Sequence, residues 1–362
     1  INMNPSPKQY YDTHIAFYDT RIAVLRRRGR LFMTGEIAFF AIAIGFVALY
    51  TVSTTGLSPL AAALLSVVAY VVVRRMDERN DGRRERLEAL REVCVRERDY
   101  LDGTFTAFDD GRRYADARHP FAFDIDVFGP QSLYHRICRT VTTGGSDRLA
   151  AMLSAPQLDT IDARADAIAE LATQTDWRKE YCAEGVAAKV DTAAVVRALH
   201  GVASVKVGRW VLSPMTLVLA LVALGAFLAT IVLAATTSMP SSVAVAGGIA
   251  VLAAVLGLCH ATLMEASRAA GKLQEQIGTF VRVVAHIASL QPTSDMLRQL
   301  RDEVAGGEAA FHEAGQIVKA LDRRGNVLGL IIFDMFLLSD FFLLRRFARW
   351  QKGFALSMDS WT

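Results

Sequence analysis

The sequence predicts an all-α protein, with four transmembrane helices in two hairpins and a cytoplasmic helical domain. Three observations predict this class. Four apolar stretches approach or exceed the roughly 17–25 residues that cross a bilayer. They lie in pairs, at Leu31–Val52, Leu57–Val73, Val211–Ala235 and Val243–Met264. Apolar residues outside these stretches recur at helical spacing, and no long alternating strand pattern competes with them.

Arginine and lysine set the predicted orientation of the four spans. They flank the long segments, whereas the short connections Ser53–Gly56 and Thr236–Ser242 carry no charge. The positive-inside rule therefore places both connections outside and every long segment in the cytoplasm. We expect a multi-pass protein of the inner membrane, with the lipid bilayer as its first partner. The arginine clusters are interpreted as determinants of topology, with binding of anionic lipid headgroups as a further role.

These features divide the chain into five segments. A cytoplasmic N-terminal segment, 1–30, precedes the first hairpin, 31–73. A cytoplasmic helical region, 74–209, leads to the second hairpin, 210–265. A second cytoplasmic helical region, 266–362, returns to the core. The net charge of +3 gives no basic field for a strongly anionic partner.

Apolar spacing predicts individual helices in the soluble segments. Arg83–Leu101 continues from the second span, and Thr160–Glu184 forms a single helix. Leu273–Ile287 carries a helix-packing seam, for which the Ile161–Leu171 face is the expected partner. Asp295–Leu321 forms the next helix. The helices that enter and leave the second hairpin are expected to be continuous with its spans.

Three acidic residues lie in apolar surroundings. Val327–Leu344 resembles a fifth span, but a central Asp costs about 2.5–3.5 kcal/mol on insertion. Because Asp334 and Asp340 lie within it, we predict a buried soluble helix in which the two carboxylates cap or pair. Glu36 lies one turn inside the first span. It either reaches the cytoplasmic face or contacts another helix as a functional polar site.

Segment 119–180 contains an ordered set of short motifs. Its members are Ser132-Leu133, Arg139-Thr140-Val141-Thr142, Gly144-Gly145 and Arg148-Leu149 through Leu153 to Pro156. This order resembles the helical core domain of the MutS family, in particular a membrane-associated branch. There an S-L helix leads to an R-T-x-T-x-x-G turn and then to an R-x-L-x-x-x-L-x-x-P helix. The resemblance implies that the corner is scaffold rather than a ligand site.

The residue types of the corner suit a turn between two helices. Gly144 or Gly145 can adopt a positive φ, and a threonine or serine can cap the next helix. Arg139 and Arg148 are expected to pair with Asp124, Asp126 or Asp147. No G-x-x-x-x-G-K-[ST] loop is present to bind phosphates. The resemblance therefore implies a helical core that lacks both the ATPase and the mismatch reader of the family.

No catalytic, metal or cofactor residue is predicted in this chain. The histidines lack metal-ligand spacing, and the four cysteines are isolated, as in a reduced compartment. The first functional hypothesis is a membrane-anchored MutS-related protein, whose full-length form would bind ATP and Mg²⁺ in a C-terminal ATPase domain and would contact DNA. The alternative is a membrane scaffold that binds a protein partner without DNA or ATP. A homodimer is compatible with both, and a transporter is disfavoured because the spans contain few polar residues.

Overall fold

The computed structural model describes residues 6–52, 58–155, 159–236, 241–271, 274–322 and 338–358. Within these ranges the protein is helical and contains no β-strand, so the all-α prediction is confirmed. Its contacts divide the chain into two compact units. Unit 1 comprises 1–141, 149–156 and 174–188, and unit 2 comprises 142–148, 157–173 and 189–362. The division passes through the MutS-like segment 119–180.

Unit 1 is dominated by two long antiparallel helices. Its helices are α1 (Pro7–Val52), α2 (Ser58–Leu101), α3 (Leu133–Ile137) and α6 (Thr175–Glu184). The N-terminal segment, which carried no helix in the sequence-based prediction, forms the first half of α1 and packs against α2. Lys8 binds Asp102 at one end of this helix pair, and Glu36 lies beside Arg74 further along it. Each apolar stretch of this hairpin therefore continues into a charged stretch as one helix.

Apolar contacts hold the charged half of the hairpin together. Ile15, Tyr18 and Ile22 recur at intervals of three and four residues, which places them on one face of α1. They pack against a matching face of α2 and against α6. In this cluster α2 contributes Leu90, Val93 and Cys94, and α6 contributes Ala183.

Unit 2 gathers the remaining helices. They are α5 (Ile161–Thr173), α7 (Thr192–Ala203), α8 (Pro214–Thr236), α9 (Ser241–Ala270), α10 (Gln274–Ala288), α11 (Asp295–Asp322) and α12 (Ser339–Met358), together with the start of α4 (Thr143–Ser154). Helices α7, α9, α10, α11 and α12 enclose one apolar core. Among its most buried members are Leu199, Leu263, Ile277, Ile317 and Leu344.

The structure corrects three helix predictions. Thr160–Glu184 is two helices, because Gln174 has a non-helical backbone (φ −92°, ψ 60°). The seam of α10 packs chiefly on α11, where Phe280 meets Phe311 at 5.4 Å between ring centroids, and not on α5. The second hairpin is not entered and left by continuous helices. Helix α7 ends at Ala203, and α9 ends before Gly271, whose φ is +55°.

The predicted helix over Val327–Leu344 lies partly outside the described residues, and so does Asp334. The described helix α12 begins only at Ser339, because Leu338 has a φ of +50°. Asp340 is 2% exposed and lies in the first turn of α12. A carboxylate there lies near the positive end of the helix dipole, and the capping or pairing of the two carboxylates stays a prediction.

One helix of the described residues is long and apolar enough to cross a membrane, by length and composition. It is α1, whose most apolar window has a mean hydropathy of 2.0 and is 6% buried. Shorter apolar helical stretches lie at Thr192–Ala203 and Pro214–Thr230. All four spans therefore stay predictions.

Candidate functional site

Ser132 starts the short helix α3. It is 2% exposed, and its hydroxyl accepts the backbone N–H of His135 at 3.2 Å, so it is an N-cap residue. The His135 ring is held on both sides. Its Nδ1 accepts the N–H of Gln131 at 2.9 Å, and its Nε2 lies 2.8 Å from the carbonyl oxygen of Phe105. The polar groups of Ser132 and His135 are thus used in hydrogen bonds within the fold.

Arg139 lies in a box of one carboxylate and two aromatic rings. Its Nε and Nη2 donate to the two oxygens of Glu97 at 2.5 and 3.1 Å. The guanidinium carbon stands 3.7 Å from the ring centroid of Phe108 and 4.7 Å from that of Tyr100. The bidentate pair and the two cation–π contacts use the whole guanidinium group. The expected pairing with an aspartate of the motif is therefore wrong for this residue.

The threonines of the corner cap two helices at once. Thr142 accepts the N–H of Gly145 at 3.0 Å, which caps α4. The N–H of Gly144 donates to the hydroxyl of Thr192 at 3.2 Å, and the N–H of Thr192 donates to the hydroxyl of Thr143 at 3.1 Å. The start of α7 therefore accepts a hydrogen bond from an N–H group of α4, and the start of α4 accepts one from an N–H group of α7.

The two glycines do not adopt the expected backbone. Gly144 and Gly145 lie in the first turn of α4, and neither has a positive φ. Gly144 is needed for a different reason, which is space. A Cβ added there would lie 3.2 Å from the Thr192 hydroxyl oxygen.

Two residues that the sequence-based prediction missed complete the corner. Ser146 is fully buried, and its hydroxyl lies 3.2 Å from the carbonyl oxygen of Thr142. The ammonium group of Lys189 donates to the same hydroxyl at 2.8 Å. The position of Ser146, four residues after Thr142, was the available signal. Thr140 contacts Cys138, with 3.4 Å between oxygen and sulfur, and Arg148 is exposed on α4.

The geometry of the corner favours a structural role over ligand binding. A helix start binds phosphate when its free N–H groups point at the ligand. Here the N–H groups of Gly144 and Gly145 already donate to threonine hydroxyls. What the corner does chemically is to join α4 to the start of α7, with its polar groups satisfied internally.

The mismatch-reading pattern of the MutS repair enzymes, Phe-x-Glu, does occur in the chain. It is Phe311-His312-Glu313 in α11, so the expected absence of a mismatch reader cannot be argued from the sequence. The ring of Phe311 packs edge-on against Phe280 and lies against the core of unit 2. A ring packed in this way is not presented for insertion into a base stack.

Lys179 is a buried cation within unit 1. Its ammonium group donates to Asp176 at 2.7 Å and stands 5.8 and 5.9 Å from the ring centroids of Tyr10 and Tyr18. Burial opposes the charge, but hydrogen bonds to Asp176 and Tyr18 outweigh it and raise the pKa of Lys179 above its usual value. Lys179 therefore stays protonated, and its contacts hold α6 against α1.

The cysteines are structural in this fold. None of the four forms a disulfide. Burial raises the pKa of Cys94 and of Cys182 to about 11 each, so both thiols are protonated near neutral pH and are poor nucleophiles. Cys259 is fully buried in the core of unit 2. No group of three His, Cys, Asp or Glu side chains in the described ranges could hold a metal ion.

A groove of about 600 Å³ follows the charged half of the α1–α2 hairpin. It is lined by three arginines and three carboxylates, which balance in number. Arg26 binds Glu88 at 2.8 Å, and Arg91 binds Asp19 at 2.6 Å. The groove therefore offers little net charge to a ligand.

Glu36 faces the partner helix α2. Its side chain is 13% exposed, and its Oε2 lies 3.4 Å from Nη1 of Arg74. Its Oε1 is buried and has no hydrogen-bond partner among the residues that the structure describes. The expectation that Glu36 contacts another helix describes this geometry better than extension to the cytoplasmic face.

Comparison with known proteins returns no relative of this chain. No family model matches it, and neither a curated protein nor a solved structure does.

Proposed function

We propose that the chain is the membrane-anchored, non-catalytic N-terminal portion of a MutS-related protein. Four spans in two hairpins hold its helical core at the cytoplasmic face of the inner membrane. The observation that carries the proposal is the α1–α2 hairpin, in which one pair of helices runs from an apolar end to a charged end. Such a pair anchors a soluble body without a flexible linker.

The exposed side chains of the apolar end support membrane insertion. Ile37 and Phe40 on α1 are 64% and 57% exposed, and Leu64 and Leu65 on α2 are 66% and 71% exposed. Exposed apolar area of this extent is stable in lipid and costly in water. Small buried residues lie in this half of the hairpin, as is usual for packed membrane helices. They are Ala43, Ala63 and Ser66.

The corner at Arg139–Arg148 supports the MutS-like part of the proposal. In the resembling family the R-T-x-T-x-x-G turn joins two core helices as scaffold. Here Thr142 and Gly144 serve that purpose, since one caps α4 and the other approaches Thr192 closely. In a longer protein of this kind, a following domain would bind ATP and Mg²⁺ and act on DNA. This chain would hold that machinery at the membrane.

Cysteine labelling in intact cells tests the topology. Thr55→Cys and Ser238→Cys, each in a background in which the native cysteines are replaced, should react with a membrane-impermeant maleimide from outside. A control at Ser289, which is exposed beyond the end of α10, should react only after lysis. Reaction of the Thr55 and Ser238 variants only in broken cells would overturn the four-span arrangement.

Binding assays with nucleotide and with DNA test the proposal that this portion is non-catalytic and does not itself recognise DNA. The purified chain should bind no ATP at micromolar concentrations. Its binding to duplex DNA should be weak, should fall steeply with salt and should be the same for matched and mismatched duplexes. Fluorescence anisotropy at low and at physiological salt measures both. A preference for mismatched duplex that survives physiological salt would assign DNA recognition to this portion.

A second candidate function is a membrane scaffold for a protein partner, and one loop favours it. Phe123 and Ile125 are 70% and 64% exposed in a loop of unit 1, where they alternate with exposed Asp124 and Asp126. Large apolar side chains in this setting suit a partner with an apolar and basic surface.

In-cell photo-crosslinking distinguishes the two functions. A photoreactive residue at position 123 should give one discrete crosslinked protein if the scaffold function is right. A matched probe at Ile168, which is 67% exposed on α5, should not capture that protein. No product at position 123 leaves the MutS-related proposal as the better one.

A further inference from the structure

The arginines near the middle of the α1–α2 hairpin fall into two groups. Some are used by the fold, as Arg26 is by Glu88 and Arg84 is by Asp81, with N–O distances of 2.8 and 3.1 Å. Six others are exposed and form no ion pair with any residue that the structure describes. They are Arg27, Arg28, Arg30, Arg75, Arg79 and Arg83, named here the arginine belt. Because the hairpin does not use their charge, it is available to a ligand.

The belt arginines of the two helices lie at the same level. Asn80 donates to the carbonyl of Leu25 at 3.1 Å, and a Cβ added at Gly29 would lie 3.3 Å from the same amide nitrogen, so this part of α2 lies opposite the first belt arginines of α1. The Glu36–Arg74 contact closes the belt on its other side. The six residues therefore fall within about eight residues of helix, which is about 12 Å at 1.5 Å per residue.

The belt stands at the boundary of the apolar surface. No charged residue occurs from Ile37 to Val52 on α1 or from Ser58 to Val73 on α2. On the belt side, nine arginines face only four carboxylates over Arg26–Glu36 and Arg74–Arg84. A bilayer places its headgroups at this boundary, in a layer of about 5–8 Å on each side. Long arginine side chains reach such a layer from slightly above or below it.

We propose that the arginine belt binds the phosphate groups of anionic phospholipids in the cytoplasmic leaflet. This inference rests on the proposed membrane anchor. A guanidinium group binds phosphate with two parallel hydrogen bonds, and the anionic leaflet attracts each juxtamembrane arginine by roughly fivefold in affinity. Topology alone requires positive charge on this side of the membrane, but it does not require arginines left without carboxylate partners on both helices at one level.

Phospholipid fits the belt better than DNA does. The belt residues lie at the depth of the headgroups, where lipid phosphates surround the hairpin on all sides. A duplex could reach them only along a leaflet whose own negative charge repels it. DNA is therefore the competing ligand in the test.

Spin-labelled lipids in reconstituted vesicles provide the test. The whole chain is placed in vesicles of equal parts phosphatidylcholine and phosphatidylglycerol, with trace amounts of either lipid spin-labelled. The immobilised fraction in the electron spin resonance spectrum gives the relative association of each lipid. Phosphatidylglycerol should be preferred several-fold. The variant R75Q/R79Q/R83Q should lose most of that preference, and replacement by lysine should retain part of it.

A charge-matched control removes three cations elsewhere. R197Q/R349Q/K352Q changes exposed residues of α7 and α12 and should keep the wild-type lipid preference. An embedded chain without lipid preference, or an equal loss in both variants, overturns the belt proposal alone. A chain that alkaline carbonate extracts overturns the membrane anchor and the belt with it. Duplex binding that depends on the belt and resists competition by phosphatidylglycerol would make DNA its ligand instead.

Discussion

Gly144 donates its backbone N–H to the hydroxyl of Thr192 at 3.2 Å, and through this contact the first turn of α4 is tied to the first turn of α7. The two residues are far apart in sequence and neither is charged. The bond joins the start of α4 to the apolar core of unit 2, because α7 supplies Val195 and Leu199 to that core.

Thr192→Val should destabilise the protein by about 1 kcal/mol, since it leaves the Gly144 N–H without its acceptor. Thr142→Ala should cost about as much, because it removes the cap of α4. Thr20→Val, on an exposed face of α1, is the control and should stay within about 0.5 kcal/mol. Urea unfolding in detergent micelles, followed by far-ultraviolet circular dichroism, measures all three. A Thr192 variant as stable as the Thr20 variant would show that the corner does not contribute to the stability of the fold.

Gly111→Ala and Gly103→Ala separate backbone strain from crowding. Both glycines have a positive φ, of +69° and +85°. A Cβ at Gly111 would lie 2.6 Å from Cδ1 of Tyr134, whereas a Cβ at Gly103 would meet nothing within 4 Å. The Gly103 variant should lose about 1 kcal/mol from left-handed backbone strain. The Gly111 variant should lose a further 1–3 kcal/mol or so, because the tightly packed Tyr134 must move. Equal losses in the two variants would contradict the packing around Tyr134.

Glu170 should make stability depend on pH in the acid range. Its carboxylate accepts the backbone N–H groups of Thr293 and Ser294 at 2.7 and 2.8 Å, which lowers its pKa from 4.5 to about 2. A lowered folded-state pKa stabilises the protein above pH 4.5, and this contribution is lost as the pH falls from 4.5 towards 2.

Glu170→Gln should therefore flatten the acid limb of the stability profile between those two pH values. Glu303→Gln, an exposed change on α11, is the control and should leave the limb as in wild type. Thermal unfolding across the acid range compares the three proteins. An unchanged limb in the Glu170 variant would show that this carboxylate does not hold the start of α11.

The seam of α10 should not tolerate charge. Ile277 is fully buried and Val284 is 7% exposed, so Ile277→Asp with Val284→Asp buries two unpaired carboxylates and should unfold unit 2. Glu275→Asp with Arg282→Asp changes the exposed face of the same helix and should leave a protease-resistant core in detergent. The same resistant core in the first variant would mean that the seam faces solvent or lipid.

Periodicity predicted most of the helices and the buried face of α10, but it missed the first half of α1 and wrongly predicted a packing face on α5, where Ile168 is 67% exposed. Ile277 and Val284 were identified from spacing alone, and both are buried. Helix ends were harder, because they depend on single backbone conformations. The break at Gln174 and the left-handed residues Leu338 and Gly271 leave no periodic signal.

Partners distant in sequence could not be derived at all. Arg139 pairs with Glu97 of α2, and Gly144 meets Thr192 of α7. Both contacts depend on how helices come together, which spacing along the chain does not encode. The N-terminal half of α1 was predictable in principle, since Ile15, Tyr18 and Ile22 follow helical spacing.

The lengths of helices α1 and α2 also fix a distance along the hairpin. Helix α1 has 46 residues and α2 has 44, which makes each about 65–70 Å long at 1.5 Å per residue. A bilayer core of about 30 Å accounts for less than half of that length. The remainder fixes the height at which α6 is carried on α2. Inserting seven residues into the charged half of both helices would raise α6 by about 10 Å while keeping the same faces in contact. In the proposed membrane anchor, helix length therefore sets how far the protein extends from the bilayer.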